Sequence, residues 1–251
     1  LIANLFIGSA AMGTLSLAKT VPTVIVSLVG AVAGVFMPDF TILYAKNKSE
    51  DLVASIKQSM NILGIIVNIP IAILASFGLE FFELWVPTQN PRELQLLSVI
   101  TISTLIISGS INSIYNVFTV TNRLRANAMV VLLTGVVNVG IVFLVVNTTD
   151  LGVYAIAGVS TVLSIIRNLA FTAPYGAKFL GLKWNTFFPE IIKSVIAFII
   201  VAIIGLGINY FVDIDSWILF FFCAGITTIL GLTVNLLVIL KKSDRQYLMN
   251  K

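Results

Sequence analysis

Six stretches of the chain run on without an Asp, Glu, Lys or Arg: Thr20 to Pro38, Gln58 to Leu79, Leu94 to Asn122, Ala126 to Thr149, Ser194 to Val212 and Ser216 to Leu240. Each is close to the roughly 20 residues a helix needs to cross a hydrocarbon core about 30 Å thick. A seventh apolar stretch, Gly158 to Gly176, is broken once, by Arg167, and an apolar stub precedes Lys19. Backbone groups in lipid must find partners within their own segment, so such spans are helices. A water-facing surface cannot be assembled from the remainder: 10% of the residues are charged, against roughly 25% in a soluble domain. The chain reads as all-α, a polytopic transmembrane bundle of about seven spans plus an N-terminal helix stub.

The polar gaps between spans alternate in sign. Lys46, Lys48 and Lys57 mark the first gap; Glu80, Glu83 and Glu93 outweigh Arg92 in the second. Arg123 and Arg125 follow, then Asp150, then Lys178 and Lys183, then Asp213 and Asp215, then the basic tail "KKSDRQYLMNK". Positive residues mark cytoplasmic loops, so the basic gaps and the C-terminus are assigned to the cytoplasm of a multi-pass protein in the cytoplasmic membrane. The net charge of +4 is thus a topology signal, not a nucleic-acid patch. Trp85, Trp217, Tyr44, Tyr175 and Trp184 stand at span ends, as interfacial aromatics do. "GAKFLGLKWNTFFPE" is too short to span and reads as an interfacial connector, with Phe179, Leu180, Leu182, Trp184 and Phe187 dipping into the bilayer. The expected units are a bundle over 1–175, the connector over 176–188, and a final pair of spans with the basic tail over 189–251.

The chain has no histidine and one cysteine, Cys223. That removes His-based acid–base chemistry, His metal sites, Ser-His or Cys-His nucleophiles and any disulfide framework. No catalytic residue, metal or cofactor is expected, and the chain is not read as an enzyme. It opens at Leu1 inside an apolar stretch with no charged leader, so it is read as a fragment of a longer protein.

Polarity inside a span must face protein or water. Ser160, Thr161, Ser164, Arg167, Asn168 and Thr172 recur at helical spacing and predict one polar stripe. A longer stripe follows Glu93: Ser98, Thr101, Thr104, Ser108, Asn112, Tyr115, Asn116 and Thr119. Asn61, Asn68 and Asn138 add isolated polar points. Such groups either hold helices together or line a hydrated cavity, and the long stripe favours the cavity. Arg167 either snorkels or pairs with an acid, Asp39 being one partner, or it faces a cavity as an anion site. Lys19 is an interfacial anchor or a second ligand contact. Pro22, Pro38 and Pro70 are expected to kink their helices and Pro174 to end the Arg167 helix.

The order of these segments resembles the second lobe of the multidrug/oligosaccharidyl-lipid/polysaccharide (MOP) exporter superfamily. "IGSAAMGTLSLAKTVPTVIVSLVGAVAGVFMPDFTILYAKNKSEDL" resembles the opening of that lobe, and "PIAILASFGLEFFELWV" its next helix and aromatic exit. "LGVYAIAGVSTVLSIIRNLAFTAPYGAKFLGLKW" is similar to the twelfth helix of O-antigen and capsule repeat-unit flippases. The motifs are loose patterns of Gly, Pro and aromatics. The resemblance implies flipping of an undecaprenyl-diphosphate-linked oligosaccharide by alternating access, with a first lobe supplied by upstream sequence. It implies substrate contacts at Arg167 and Lys19, with Asn168, Ser164, Asn112 and Asn116 as neighbours on the stripes. A MATE-like multidrug or metabolite antiporter is the nearest alternative. A membrane polysaccharide polymerase would need a larger outer loop, and a scaffold would have little use for a hydrated stripe.

Overall fold

The computed structural model describes residues 8–239, and every regular element among them is a helix. In chain order these are α1 (Ser9–Val35), α2 (Met37–Ala45), α3 (Ser49–Trp85), α4 (Pro91–Val120), α5 (Leu124–Thr148) and α6 (Val153–Arg167). A π-helical turn (Asn168–Thr172) joins α6 to α7 (Ala173–Phe179), and α8 (Phe188–Phe211) and α9 (Trp217–Ile239) follow. Seven units are long and apolar enough to cross a bilayer: α1 with α2, then α3, α4, α5, α6 through α7, α8 and α9. The seven-span expectation holds. Of the N-terminal stub, the residues from Ser9 onward run into α1 without a break. The start of the stub and the basic tail from Lys241 lie outside the described residues.

The sequence places the breaks by identifiable means. Pro38 sits in the first turn of α2, where its missing N–H costs nothing, and the chain steps at Phe36. Pro22 and Pro70 stay inside continuous helices. Asn90 caps α4 by accepting from the Glu93 N–H, with Pro91 just inside. Asn47 and Asn122 take positive φ (54° and 53°) just past α2 and α4. Their successors close the turns, Lys48 N–H onto Leu43 O at 3.0 Å and Arg123 N–H onto Phe118 O at 2.8 Å.

The α3 helix is the centre of the bundle, packed on α4, α8 and α9 and touching α1 and α2. One buried cluster joins α1, α3, α4 and α6 (Leu63, Val67, Leu97, Ile102, Ala157). A second lies around Phe40, Ile56, Phe118 and Phe187, toward the end of the bundle that carries the basic gaps. Helices in lipid gain little from apolar burial, so close approach and polar contacts hold them. Gly205 lies against Ser76, where a Cβ has no room, and lets α8 close on α3. Deeper, Asn68 donates to Ser194 O and Asn235 Oδ1, both at 3.0 Å, tying α3 to α8 and α9. Near the end of α8, Asn209 donates to Ser76 O and Glu80 Oε1. By contrast α5 packs mainly on α6 and leaves most of its surface outward.

Within the connector, Phe187 is fully buried and Leu180 and Leu182 pack on the second cluster, while Trp184 stays outward. These side chains fasten the connector to the bundle more than to lipid. Lys178 and Lys183 are exposed.

Candidate functional site

Pro174 does not end the Arg167 helix. Its ring has no N–H to give to the Ala170 carbonyl, and the backbone widens by one residue instead. The Ala173 N–H bonds to Asn168 O, five residues back, and the helical rod continues to Phe179. Arg167 therefore stands near the middle of the span Val153–Phe179, deeper than the sequence implied. Wide turns of this kind concentrate at functional positions.

The expected single stripe on this span divides into two lanes, because two helices cover it. Thr161, Asn168 and Thr172 are buried. Thr161 donates to Ile100 O of α4 at 2.8 Å, and Asn168 Oδ1 accepts from the Tyr115 hydroxyl of α4 at 2.8 Å. Ser160 and Arg167 lie on the α5 side. Ser160 Oγ donates to Asn138 Oδ1 of α5 at 3.3 Å, and Arg167 lines a groove with Leu163 and Ile166 of α6 and Val130, Leu133, Thr134 and Val137 of α5. Ser164 is half-buried between the lanes.

Arg167 is poorly compensated. Its Nη2 reaches the Tyr115 hydroxyl at a long 3.4 Å, and its Nε is buried without a partner. The ion pairs among the described residues are Lys48–Asp51 and Lys57–Glu190; neither involves Arg167. Asp39, expected as a partner, is exposed at the start of α2 and accepts from Ser55 of α3 instead. Asn168 Nδ2 and Thr172 Oγ1 are also buried without partners. Tyr115 thus joins a guanidinium to a buried amide within a stretch that holds three unpaired groups able to donate hydrogen bonds. Buried unpaired donors are uncommon in folded proteins and invite an explanation.

The long stripe on α4 is used mainly as glue at its ends. Ser98 donates to Ala18 O of α1 at 2.6 Å and Asn116 to Ala33 O of α1 at 2.7 Å. In between, Ser108 and Asn112 are half-buried, and Thr101 and Thr104 have buried hydroxyls without partners. Lys19 is half-buried on α1 beside the carbonyl that Ser98 holds. Ser98 and Tyr115 are 17 residues apart on one continuous helix, which is about 25 Å at 1.5 Å per residue. Lys19 and Arg167 therefore lie at different depths, too far apart to hold one headgroup together. Tyr115 was legible as a stripe member but not as the residue that joins α4 to Arg167.

The helices and their composition define a polytopic helical membrane protein of at least seven spans. The chain is 29% identical over 217 residues, 86% of its length, to a protein described as the uncharacterized membrane protein EpsK of Bacillus subtilis (strain 168). That match covers 43% of the relative, so the chain spans less than half of its length. No protein-family model matches the chain, and no solved structure matches it.

Proposed function

We propose that the chain is part of a transporter that flips an undecaprenyl-diphosphate-linked oligosaccharide repeat unit across the cytoplasmic membrane by alternating access. The carrying observation is the Arg167 charge, set mid-span without an acidic partner among the described residues. A cation at a helix centre costs about 2.5–3.5 kcal/mol on insertion scales. A phosphate group meeting the guanidinium through paired, charge-assisted hydrogen bonds offsets that cost and gives the position a use. The resemblance to MOP exporters supports the same reading, as does the half-buried polarity of Ser108 and Asn112. On this reading Lys19 is a second contact farther along the path, met after Arg167 rather than with it.

A cationic-drug antiporter is the rival within the same architecture. It calls for an acid at mid-span, whereas Asp39, Glu80 and Glu190 stand near helix ends. The mid-span charge favours an anionic cargo. No covalent chemistry or cofactor enters this reading. In the full-length protein, Arg167→Ala should abolish surface polysaccharide while membrane abundance stays unchanged, and Arg167→Lys should restore part of it. Normal export by Arg167→Ala overturns the assignment.

A further inference from the structure

The groove beside Arg167 has a shape that the transport reading does not require. It runs between α5 and α6, holds about 230 Å³, and is walled by Val130, Leu133, Val137, Leu163 and Ile166, with Thr134 the sole uncharged polar residue on its wall. Beyond it, toward the α5–α6 turn, lies the Ser160–Asn138 hydrogen bond. The two helices are antiparallel, so that bond fixes their register. Seven residues inward along α6 stands Arg167, about 10 Å below. The groove is thus apolar along its length and cationic at its cytoplasmic end. It opens outward, because α5 packs mainly on α6 and Leu133 keeps 58% of its surface exposed.

We infer that this groove binds a phosphate-bearing bilayer lipid, the phosphate on Arg167 and the first part of one hydrocarbon chain laid between α5 and α6. Charge complementarity sets the head: a guanidinium on the groove wall with no carboxylate partner among the described residues takes an oxyanion. The apolar wall sets the rest, since a free inorganic anion leaves it unused. The volume falls below the roughly 300 Å³ of small-molecule pockets, so it takes a chain segment rather than a compact organic ligand. The direction follows from register and loop charge. Seven residues from the Ser160–Asn138 contact, Arg167 stands level with Val131, in the half of α5 that begins beside Arg123 and Arg125. The head therefore sits on the cytoplasmic side of the middle of α5 and the chain points away from it. This deepens the proposed function and rests on it for the phosphate as cargo; it adds the side on which the lipid enters.

The test is binding of undecaprenyl phosphate to the purified full-length protein in detergent, read by native mass spectrometry. Arg167→Gln should weaken binding about tenfold or more, and so should Leu133→Trp, which fills the groove from an outward position. Leu132→Trp, exposed and off the groove wall, should bind as the unaltered protein does. Excess inorganic pyrophosphate should not displace the lipid. Displacement by pyrophosphate overturns the inference in favour of a free-anion site. Retention of dioleoylglycerol, which carries no phosphate, as tight as that of undecaprenyl phosphate reduces the groove to ordinary lipid contact and overturns it too. The two readings separate cleanly. Normal binding by Leu133→Trp with export still blocked by Arg167→Ala removes the groove and leaves the transport reading. The expected binding pattern with normal export by Arg167→Ala removes transport and leaves the groove.

Discussion

Asn68 shows how a single side chain orders three helices. Its amide donates to α8 and α9 and its carbonyl accepts from Ser194 at 3.3 Å, while Asn235 satisfies its own amide on Gly231 O at 2.7 Å. Leaving a buried polar partner unmatched costs about 1–3 kcal/mol in soluble proteins. In bilayers the average interhelical bond is nearer 0.6 kcal/mol, because the separated helices also find partners. Three bonds meet at Asn68, so Asn68→Ala should destabilise the bundle by about 1–2 kcal/mol in a detergent unfolding titration. Asn68→Ala with Asn235→Ala should cost less than the sum of the two single changes, since each removes the other's partner; strict additivity would sink the account of a shared lock. The sequence marked Asn68 as a polar point that holds helices together, and that reading is the one the contacts bear out. It could not name Ser194 and Asn235, which lie more than a hundred residues away. The same limit applies at Arg167: helical period gives the direction a side chain leaves its helix, but not which neighbour stands there. Hence one expected stripe became two lanes, one against α4 and one against α5.

At the scale of elements, the wide turn over Asn168–Thr172 sets the geometry of the site. One extra residue in the turn rotates everything beyond it by about 100° relative to an uninterrupted α-helix. That rotation brings Ala173, Gly176 and Ala177 of α7 onto Ile114 and Phe118 of α4, with Gly176 pressed against Ile114. Packing on both sides therefore holds the wide turn, with Pro174 removing the one N–H that would compete. Deleting Ala170, which is exposed, should convert the turn to ordinary α-helix while leaving α6 and α7 in their present registers. Membrane abundance should survive the deletion, and export should fall toward the level of Arg167→Ala because the Tyr115–Asn168 contact beside Arg167 is re-aimed. Full export by the deletion variant would show that the turn is only a packing adjustment. From sequence Pro174 signalled a helix end; what it could not signal was that Gly176 and Ala177 had a seat waiting on α4, which makes continuation favourable.

Across the whole molecule, the seven spans were legible because lipid leaves the backbone few options and charges gather where water begins. Less legible was the unequal placement of the helices, with α3 enclosed and α5 at the edge, since both are apolar over their length and a bilayer solvates either. The outward face of α1 illustrates the same ambiguity. Ser16, Thr20, Thr23 and Ser27 each bond back to a carbonyl four residues earlier, which leaves a low, small-residue surface suited to lipid or to another helix. Orientation is what the proposed direction of transport depends on, and it rests on loop charge. Cys223 is buried, so the native chain offers a quiet background for thiol labelling. Asp150→Cys, in the exposed turn between α5 and α6, should react with a membrane-impermeant maleimide in intact cells. Lys183→Cys, in the exposed connector, should react only after the cells are opened. The reverse pattern would put Arg167 nearer the outer leaflet, and a lipid entering the α5–α6 groove would then come from outside, which is the wrong side for export.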